Sequence, residues 1–122
     1  MSDPVLNAKL TQAIGAHGAW KSRLRLAAHT QADPATIAAA GDHHACEFGC
    51  WLDSLPVSVQ AGEEARETIA RHAEFHRVAG RAAQLIAQGK KDAALGVLDT
   101  DFNDASRVLT SAVSRWKLAA SR

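Results

Sequence analysis

Aromatic residues are scarce in this chain of 122 residues, which has no tyrosine, three phenylalanines and three tryptophans. β-Branched residues are also few beside the many alanines. Because aromatic and β-branched side chains favour strands while alanine favours helices, this composition argues against a sheet. The length suits one core of about three to five helices. We therefore predict an all-α protein with a single domain over residues 1–122, an antiparallel four-helix bundle with a short extra helical segment.

A surplus of charge of either sign is also lacking, because the formal net charge is +1 and the acidic and basic residues are interspersed. Nucleic-acid binding requires a basic stripe or patch, so we discount it. No apolar run approaches the ~20 residues of a membrane helix. The start of the chain, Met1-Ser2-Asp3-Pro4-Val5, lacks the basic and apolar regions of a signal peptide. We expect a cytoplasmic protein with neither a membrane nor a nucleic-acid partner.

Cysteine is rare, with only Cys46 and Cys50, four residues apart in a segment that is predicted to be helical. That spacing in a helix is poor geometry for a disulfide, so both thiols are expected to be reduced. The sequence also has no Gly-x-Ser-x-Gly elbow and no phosphate-binding loop. We therefore predict that the protein is not an enzyme.

Three long segments repeat apolar residues at alternating steps of four and three, as helices do when one face packs inward. Ser2 or Asp3 is the expected cap of the first, Gly89 ends the next, and residues 99–101 divide the last. The inward positions are Leu6, Leu10, Ala13, His17, Trp20, Leu24 and Ala27, then Ala65, Ile69, His72, His76, Ala79, Ala83 and Ile86, then Leu95, Leu98, Phe102, Ala105, Leu109, Ala112, Trp116 and Ala119.

The stretch between the first two long helices is predicted to contain two short ones. An alanine-rich helix stops near Gly41, and a second helix over residues 42–55 carries Cys46. Gly49, one turn after Cys46, costs helix stability and indicates that another backbone or side chain approaches closely there. Residues 55–62 are predicted to form a loop.

Two histidines on one helix face are the strongest sign of chemistry in the sequence. His72 and His76 lie four residues apart, so both imidazoles can reach a single metal ion. His17 on the first seam and Cys46 on the short helix are the best candidates to complete a tetrahedral site, and this ligand set suits Zn²⁺. The alternative is that the histidines are hydrogen-bonded core residues and that Cys46 is a small buried hydrophobe.

These motifs, in this order, resemble the chemoreceptor zinc-binding domains of bacteria. Their pattern has a His with an aromatic residue or Leu three positions later, then Cys-x-apolar-Gly-x-apolar, then His-x-x-x-His. This chain reads His17-Gly18-Ala19-Trp20, Cys46-Glu47-Phe48-Gly49-Cys50-Trp51 and His72-Ala73-Glu74-Phe75-His76, with gaps of 25 and 20 residues that are typical of the family. The resemblance spans nearly the whole chain.

The resemblance implies a helical bundle, usually a homodimer, in which His17, Cys46, His72 and His76 bind zinc. Such domains are usually attached to chemotaxis receptors or diguanylate cyclases and control their output. The sequence contains no receptor coiled coil or cyclase. We expect either a stand-alone member or a regulatory domain of a longer protein, which senses zinc or oxidants such as hypochlorous acid and controls a chemotaxis or cyclic-di-GMP signalling partner.

Two rival functions follow from the same residues. A hemerythrin-like di-iron oxygen carrier would use His-x-x-x-His on a bundle helix, but it needs inward carboxylates, and the acids mostly fall off the seams. The second rival function is that of a metal-free helical bundle that binds another protein. His29, His43 and His44 are expected at the surface or around the site, and Cys50 is a possible competitor for the metal.

The sequence also suggests a dimer face and a moving part. Trp51, Leu52 and Leu55 are candidates for the dimer face, because a small bundle cannot bury every large apolar residue of this chain. Cys46 lies on a short segment that contains Gly49, so it is the predicted movable ligand. The segment from residue 42 to 55 is then the element that zinc or an oxidant would switch.

Overall fold

A computed structural model describes residues 3–30 and 33–121, and within these ranges the protein has helices and no strand. The predicted all-α class is thus confirmed. None of the described helices combines the length and the apolar character that crossing a membrane would require. The helices are α1 (Pro4–His29), α2 (Pro34–Ala40), α3 (Glu47–Ser54), α4 (Val57–Gln60), α5 (Glu63–Ala87), α6 (Lys91–Asp99) and α7 (Asp101–Ala120).

The ends of the long helices follow the predicted signals. The Asp3 carboxylate accepts hydrogen bonds from the N–H groups of Val5 and Leu6, at 3.0 and 3.2 Å, and so caps α1. Ser2, the other predicted cap, lies outside the described residues. Gly89 has φ +74°, the left-handed conformation that ends a helix, and α5 stops two residues before it.

Helix α5 is the centre of the fold and packs against α7, α6, α2 and α1. Glu67 and Arg81 of α5 pair with Arg115 and Asp101 of α7 respectively, so these two helices run antiparallel. The buried faces of α1, α5 and α7 follow the predicted seams closely, and the seams hold all three histidines of the proposed site. The site therefore lies inside the helical core.

The segment before α3 differs from its prediction. Residues 42–46 are not helical, and Cys46 has an extended backbone (φ −80°, ψ 155°) as the N-cap of α3. The reason is local: the Asp42 carboxylate accepts a 3.0 Å hydrogen bond from the His44 N–H, a turn that competes with helix. The predicted loop over residues 55–62 also contains the single turn of α4, which follows Pro56.

Part of the predicted dimer face is used inside the chain. Leu52 is only 3% exposed, so it belongs to the core instead of to a free surface. Trp51 stacks on Phe48, with ring centroids 5.7 Å apart, and approaches Trp116 at 5.9 Å. Leu55 is half-buried against the same core. These contacts anchor α3 to the other helices.

Candidate metal centre

Four side chains from three parts of the fold converge at one point in the core. His17 comes from the middle of α1, Cys46 from the N-cap of α3, and His72 and His76 from successive turns of α5. One ligand atom from each residue lies within 4.8 Å of the corresponding atoms of the others. The three histidines are at most 4% exposed, and Cys46 is half-buried.

The spacing of the ligand atoms fits a tetrahedral ion. The His17 Nε2 atom lies 3.0 Å from His72 Nε2 and 3.3 Å from His76 Nε2. The Cys46 Sγ atom lies 3.2 Å from His72 Nε2 and 3.8 Å from His17 Nε2. With ordinary zinc bond lengths, a tetrahedron requires about 3.3 Å between two nitrogens and about 3.6 Å between nitrogen and sulfur. The four side chains are therefore arranged for such an ion.

The outer hydrogen bonds of two histidines indicate which ring nitrogen carries the proton. His17 Nδ1 lies 2.7 Å from the Ala13 carbonyl oxygen, and His76 Nδ1 lies 2.8 Å from the Ala40 carbonyl oxygen. A carbonyl can only accept, so both Nδ1 atoms donate, and each neutral ring has a lone pair on Nε2. These two lone pairs face each other at 3.3 Å in a buried site. Such an arrangement is repulsive unless a cation lies between them.

Burial keeps the imidazoles in the neutral form that a metal requires. It lowers the pKa of His72 to about 2 and that of His76 to about 4, with nearby histidines adding to both shifts. Burial also lowers the pKa of His17, against the opposing effect of the Ala13 hydrogen bond. Protons are therefore poor competitors for these three nitrogens near neutral pH.

The thiol of Cys46 depends on a cation for its ionisation. Burial raises its pKa, and the N–H groups of Gly49 and Phe48 oppose that effect only in part. The Gly49 N–H lies 3.2 Å from Sγ, so the sulfur caps α3 while it points toward the histidines. A bound metal ion would hold the sulfur as thiolate.

Gly49 is required by the path of the chain around Cys46. A Cβ atom at this position would lie 1.6 Å from the His43 carbonyl oxygen and 3.2 Å from His72 Cε1. The predicted close approach is confirmed, and the approaching group is the backbone of the turn before Cys46. Only glycine lets this turn fold back over α3.

Aromatic side chains surround the imidazoles and help to exclude water. Phe48 meets the rings of His17 and His72 edge to face, with centroids 5.7 and 5.1 Å away. Phe75, which is fully buried, packs against His17 at 5.1 Å. The sequence analysis did not predict that Phe75 lines the site, because Phe75 is not on the predicted seam. Its position between His72 and His76 in the sequence was the signal that could have indicated it.

The remaining histidines and the second cysteine stay outside the cluster. His29 is exposed at the end of α1, and His43 is half-buried in the turn before Cys46. His44 is exposed and contacts Asp53 at 2.6 Å. Cys50 is exposed, and its thiol donates to the His44 carbonyl at 3.1 Å. None of these side chains belongs to the four-residue group, as predicted for the three histidines.

A buried group of one cysteine and three histidines on packed helices defines a helical metal-binding domain. The profile of the chemoreceptor zinc-binding domain family matches residues 17–83, more than half of the chain, and all four converging residues lie in that range. The chain belongs to this family, which confirms the resemblance and identifies zinc as the cofactor. No curated protein and no solved structure matches the chain.

Proposed function

We propose that this domain binds one Zn²⁺ through His17, Cys46, His72 and His76 and serves as a sensory or regulatory module. The facing Nε2 lone pairs of His17 and His76, 3.3 Å apart in the core, are the observation that carries the proposal. Zinc supplies a cation with the preference for nitrogen and sulfur ligands that this donor set requires. The membership of the chain in a zinc-binding family supports the same choice.

A regulatory role fits the site better than catalysis. Four protein ligands leave no position for a reactive water, and structural or sensory zinc sites are closed in this way. The hemerythrin-like alternative needs bridging carboxylates. Within residues 3–30 and 33–121, no aspartate or glutamate joins the four-residue group. The donor set therefore favours a closed zinc site over a di-iron site.

The output of the module is part of the proposal. The family description points to chemoreceptors, so we place the domain in the cytoplasm with a chemotaxis or cyclic-di-GMP signalling partner in cis or in trans. We further propose a homodimer and an antiparallel four-helix bundle as its architecture. The antiparallel pair of α5 and α7 supports the bundle. Because Leu52 is buried, the dimer face that we propose does not include it.

The proposed switch is the segment from residue 42 to 55. Cys46 is half-buried and precedes a helix of eight residues, whereas the histidines are fully buried on long helices. A thiolate attacks hypochlorous acid, so that a sulfur–oxygen bond forms, chloride leaves and the sulfur becomes a sulfenic acid. Either this oxidation or the loss of zinc would release the segment and change the surface that a partner meets.

Elemental analysis of protein purified without added metal tests the zinc site. We expect one zinc per chain, and replacement of any of the four residues by alanine should abolish stoichiometric zinc. Cys50→Ala and His29→Ala are matched controls that should retain it. Zinc that persists in Cys46→Ala but is lost in Cys50→Ala would refute the ligand set, and a coloured, iron-containing protein would favour the di-iron alternative.

Hydrogen exchange tests the switch separately. Amides of residues 42–55 should be protected in the zinc-loaded protein and should exchange faster in the zinc-free and hypochlorite-treated forms. The same protection in all three forms would refute the switch while leaving zinc binding intact.

A further inference from the structure

Two glycines touch where the end of α2 meets the interior of α5. Gly41 directly follows α2, and Gly80 lies inside α5. A Cβ atom at Gly80 would lie 2.7 Å from Gly41 Cα, and one at Gly41 would lie 3.3 Å from Gly80 Cα. Carbon atoms in contact prefer about 3.5–4.0 Å, so the two backbones can be this close only because both residues lack a side chain.

Backbone conformation does not account for either glycine. Gly41 has φ −93° and ψ 0°, which other residues adopt. Gly80 is in the interior of a helix of 25 residues, where glycine costs about 1 kcal/mol relative to alanine. The close crossing is what requires them.

Both glycines are adjacent to groups that position His76, one of the four proposed ligands. Ala40 precedes Gly41, and its carbonyl accepts the 2.8 Å hydrogen bond from His76 Nδ1. Gly80 lies four residues after His76, one turn further along α5. The separation of the backbones at the glycines therefore sets the distance between the Ala40 oxygen and the imidazole. His17 obtains its outer hydrogen bond within α1, whereas His76 depends on a second helix for its own.

We infer that Gly41 and Gly80 are positioning residues of the metal centre. Their contact holds the Ala40 carbonyl on His76 Nδ1, which fixes the tautomer and orientation of the ring and keeps Nε2 directed at the metal. The inference rests on the proposed function, because it assigns a role in zinc binding. It adds a link between the metal and α2, which lies outside the proposed switch segment.

The geometry gives the size of the expected effect. An alanine at Gly80 needs about 1 Å more room to bring its Cβ to an ordinary contact distance from Gly41 Cα. The same displacement of α2 would stretch the 2.8 Å hydrogen bond beyond the range in which such a bond persists. Loss of an outer hydrogen bond to a metal-binding histidine typically weakens metal binding by about 10–100-fold.

Zinc affinity, measured by competition with a chromophoric chelator, is the first test. We expect Gly80→Ala to lower the affinity by about tenfold or more and Gly41→Ala, whose clash is milder, to lower it by less. Gly96→Ala and Gly18→Ala are matched controls, because they add the same Cβ to a helix interior where no atom beyond the local helix backbone lies within 4 Å. They should bind zinc as the unaltered protein does.

The imidazole NMR spectrum of the zinc-loaded protein distinguishes positioning from a general loss of stability. The His76 Nδ1–H signal should exchange slowly with water in the unaltered protein and in both controls, and quickly in Gly80→Ala. If Gly80→Ala does not fold, Gly41→Ala carries the test with the same two measurements.

The possible outcomes separate this inference from the proposed function. If the unaltered protein binds zinc through the four ligands but the glycine variants keep both the affinity and the slow signal, the positioning role is refuted. If the unaltered protein binds no zinc, the proposed function itself fails. A lower affinity in the glycine variants together with unchanged controls supports the positioning role.

Discussion

The two sides of the candidate metal centre are built in different ways. On the histidine side, His17, His72 and His76 are held by long helices with continuous apolar faces, and two of the rings are oriented by backbone carbonyls. On the cysteine side, Cys46 is held by a non-helical turn and by one N–H group of a short helix. Packing of the whole core positions the histidines, whereas local backbone geometry positions the sulfur.

This difference indicates which part of the site can move at the lower free-energy cost. Movement of a histidine requires separating packed helices and so disturbs much of the core. Movement of the sulfur requires a change in the turn of residues 42–46 and the loss of the capping hydrogen bond from the Gly49 N–H, without separating two long helices. Displacing the cysteine side should therefore cost less free energy than displacing the histidine side.

The largest expected effect separates the proposed role of Cys46 as a metal ligand from its role as the cap of α3. In Cys46→Ser a hydroxyl keeps the cap but is a poorer zinc ligand, so zinc affinity should fall by more than about 100-fold. The zinc-free protein should be as stable as before, because serine is a good N-cap, while Cys46→Ala should lose about 1 kcal/mol. Chelator competition and urea unfolding of the zinc-free proteins measure the two quantities. Equal stabilities of the serine and alanine variants would show that the sulfur does not act as a cap.

The next effect tests whether the turn before Cys46 is as constrained as the glycine indicates. In Gly49→Ala the new Cβ would overlap the His43 carbonyl, 1.6 Å away, so the turn must move and take the sulfur with it. We expect about a 100-fold loss of zinc affinity and a loss of up to about 3 kcal/mol in unfolding free energy. Gly18→Ala, next to His17 on α1 with open space around it, is the control. Similar zinc affinities of the two variants would contradict the described path of the chain.

Sequence could predict the histidine side because its information lies in periodicity. His17, His72 and His76 are on seams whose steps of four and three point them inward, and the structure confirms all three as buried. Glycine's preference for the C-terminal cap also predicted that α5 ends at Gly89. These features depend on the geometry of a helix alone, so a local pattern is enough.

Sequence could not predict the cysteine side to the same detail. The non-helical turn arises because a side chain of Asp42 bonds to the His44 backbone, which apolar spacing does not reveal. The contact of Gly41 with Gly80 joins the residue after α2 to the interior of α5, and the hydrogen bond to the Ala40 carbonyl involves no side chain of that residue. Such features depend on tertiary packing, which only the structure shows.

A pH titration of the zinc-free protein distinguishes the two sides by sign. Burial holds the pKa of His76 at about 4 and that of His72 at about 2, below the unfolded value near 6.5. Below pH 6.5 the unfolded chain therefore binds more protons than the folded chain. As the pH falls, the unfolding free energy should decrease by up to about 1.4 kcal/mol per pH unit for each such histidine. The raised pKa of Cys46 has the opposite effect on stability. The stability that comes from burying the neutral thiol is lost as the pH rises through that pKa.

Urea unfolding at several pH values between 7.5 and 5 measures this dependence. His72→Ala should flatten the acid side of the curve, because it removes a buried imidazole whose pKa is lowered in the folded protein. An acid limb that is equally steep in His72→Ala would mean that other groups cause the loss of stability.

The smallest expected effect concerns a hydroxyl on the histidine side. Thr68 lies one turn before His72 on α5, it is fully buried, and its Oγ1 has no hydrogen-bond partner among the described residues. A buried hydroxyl without a partner costs free energy, and valine keeps the branched shape without that cost. Thr68→Val should therefore raise the unfolding free energy of the zinc-free protein by about 1 kcal/mol.

Thr11→Val is the matched control for this substitution. The Thr11 hydroxyl is on the exposed side of α1 and donates to the Asn7 carbonyl at 2.9 Å, so its loss should change stability little. If Thr68→Val instead lowers both the stability of the zinc-loaded protein and its zinc affinity, the Thr68 hydroxyl has a hydrogen-bond partner in the zinc-loaded form. The imidazole of His72 is the nearest ligand along the helix, and its Nδ1 would be the donor. The histidine side would then rest on an outer hydrogen bond for each of its three rings.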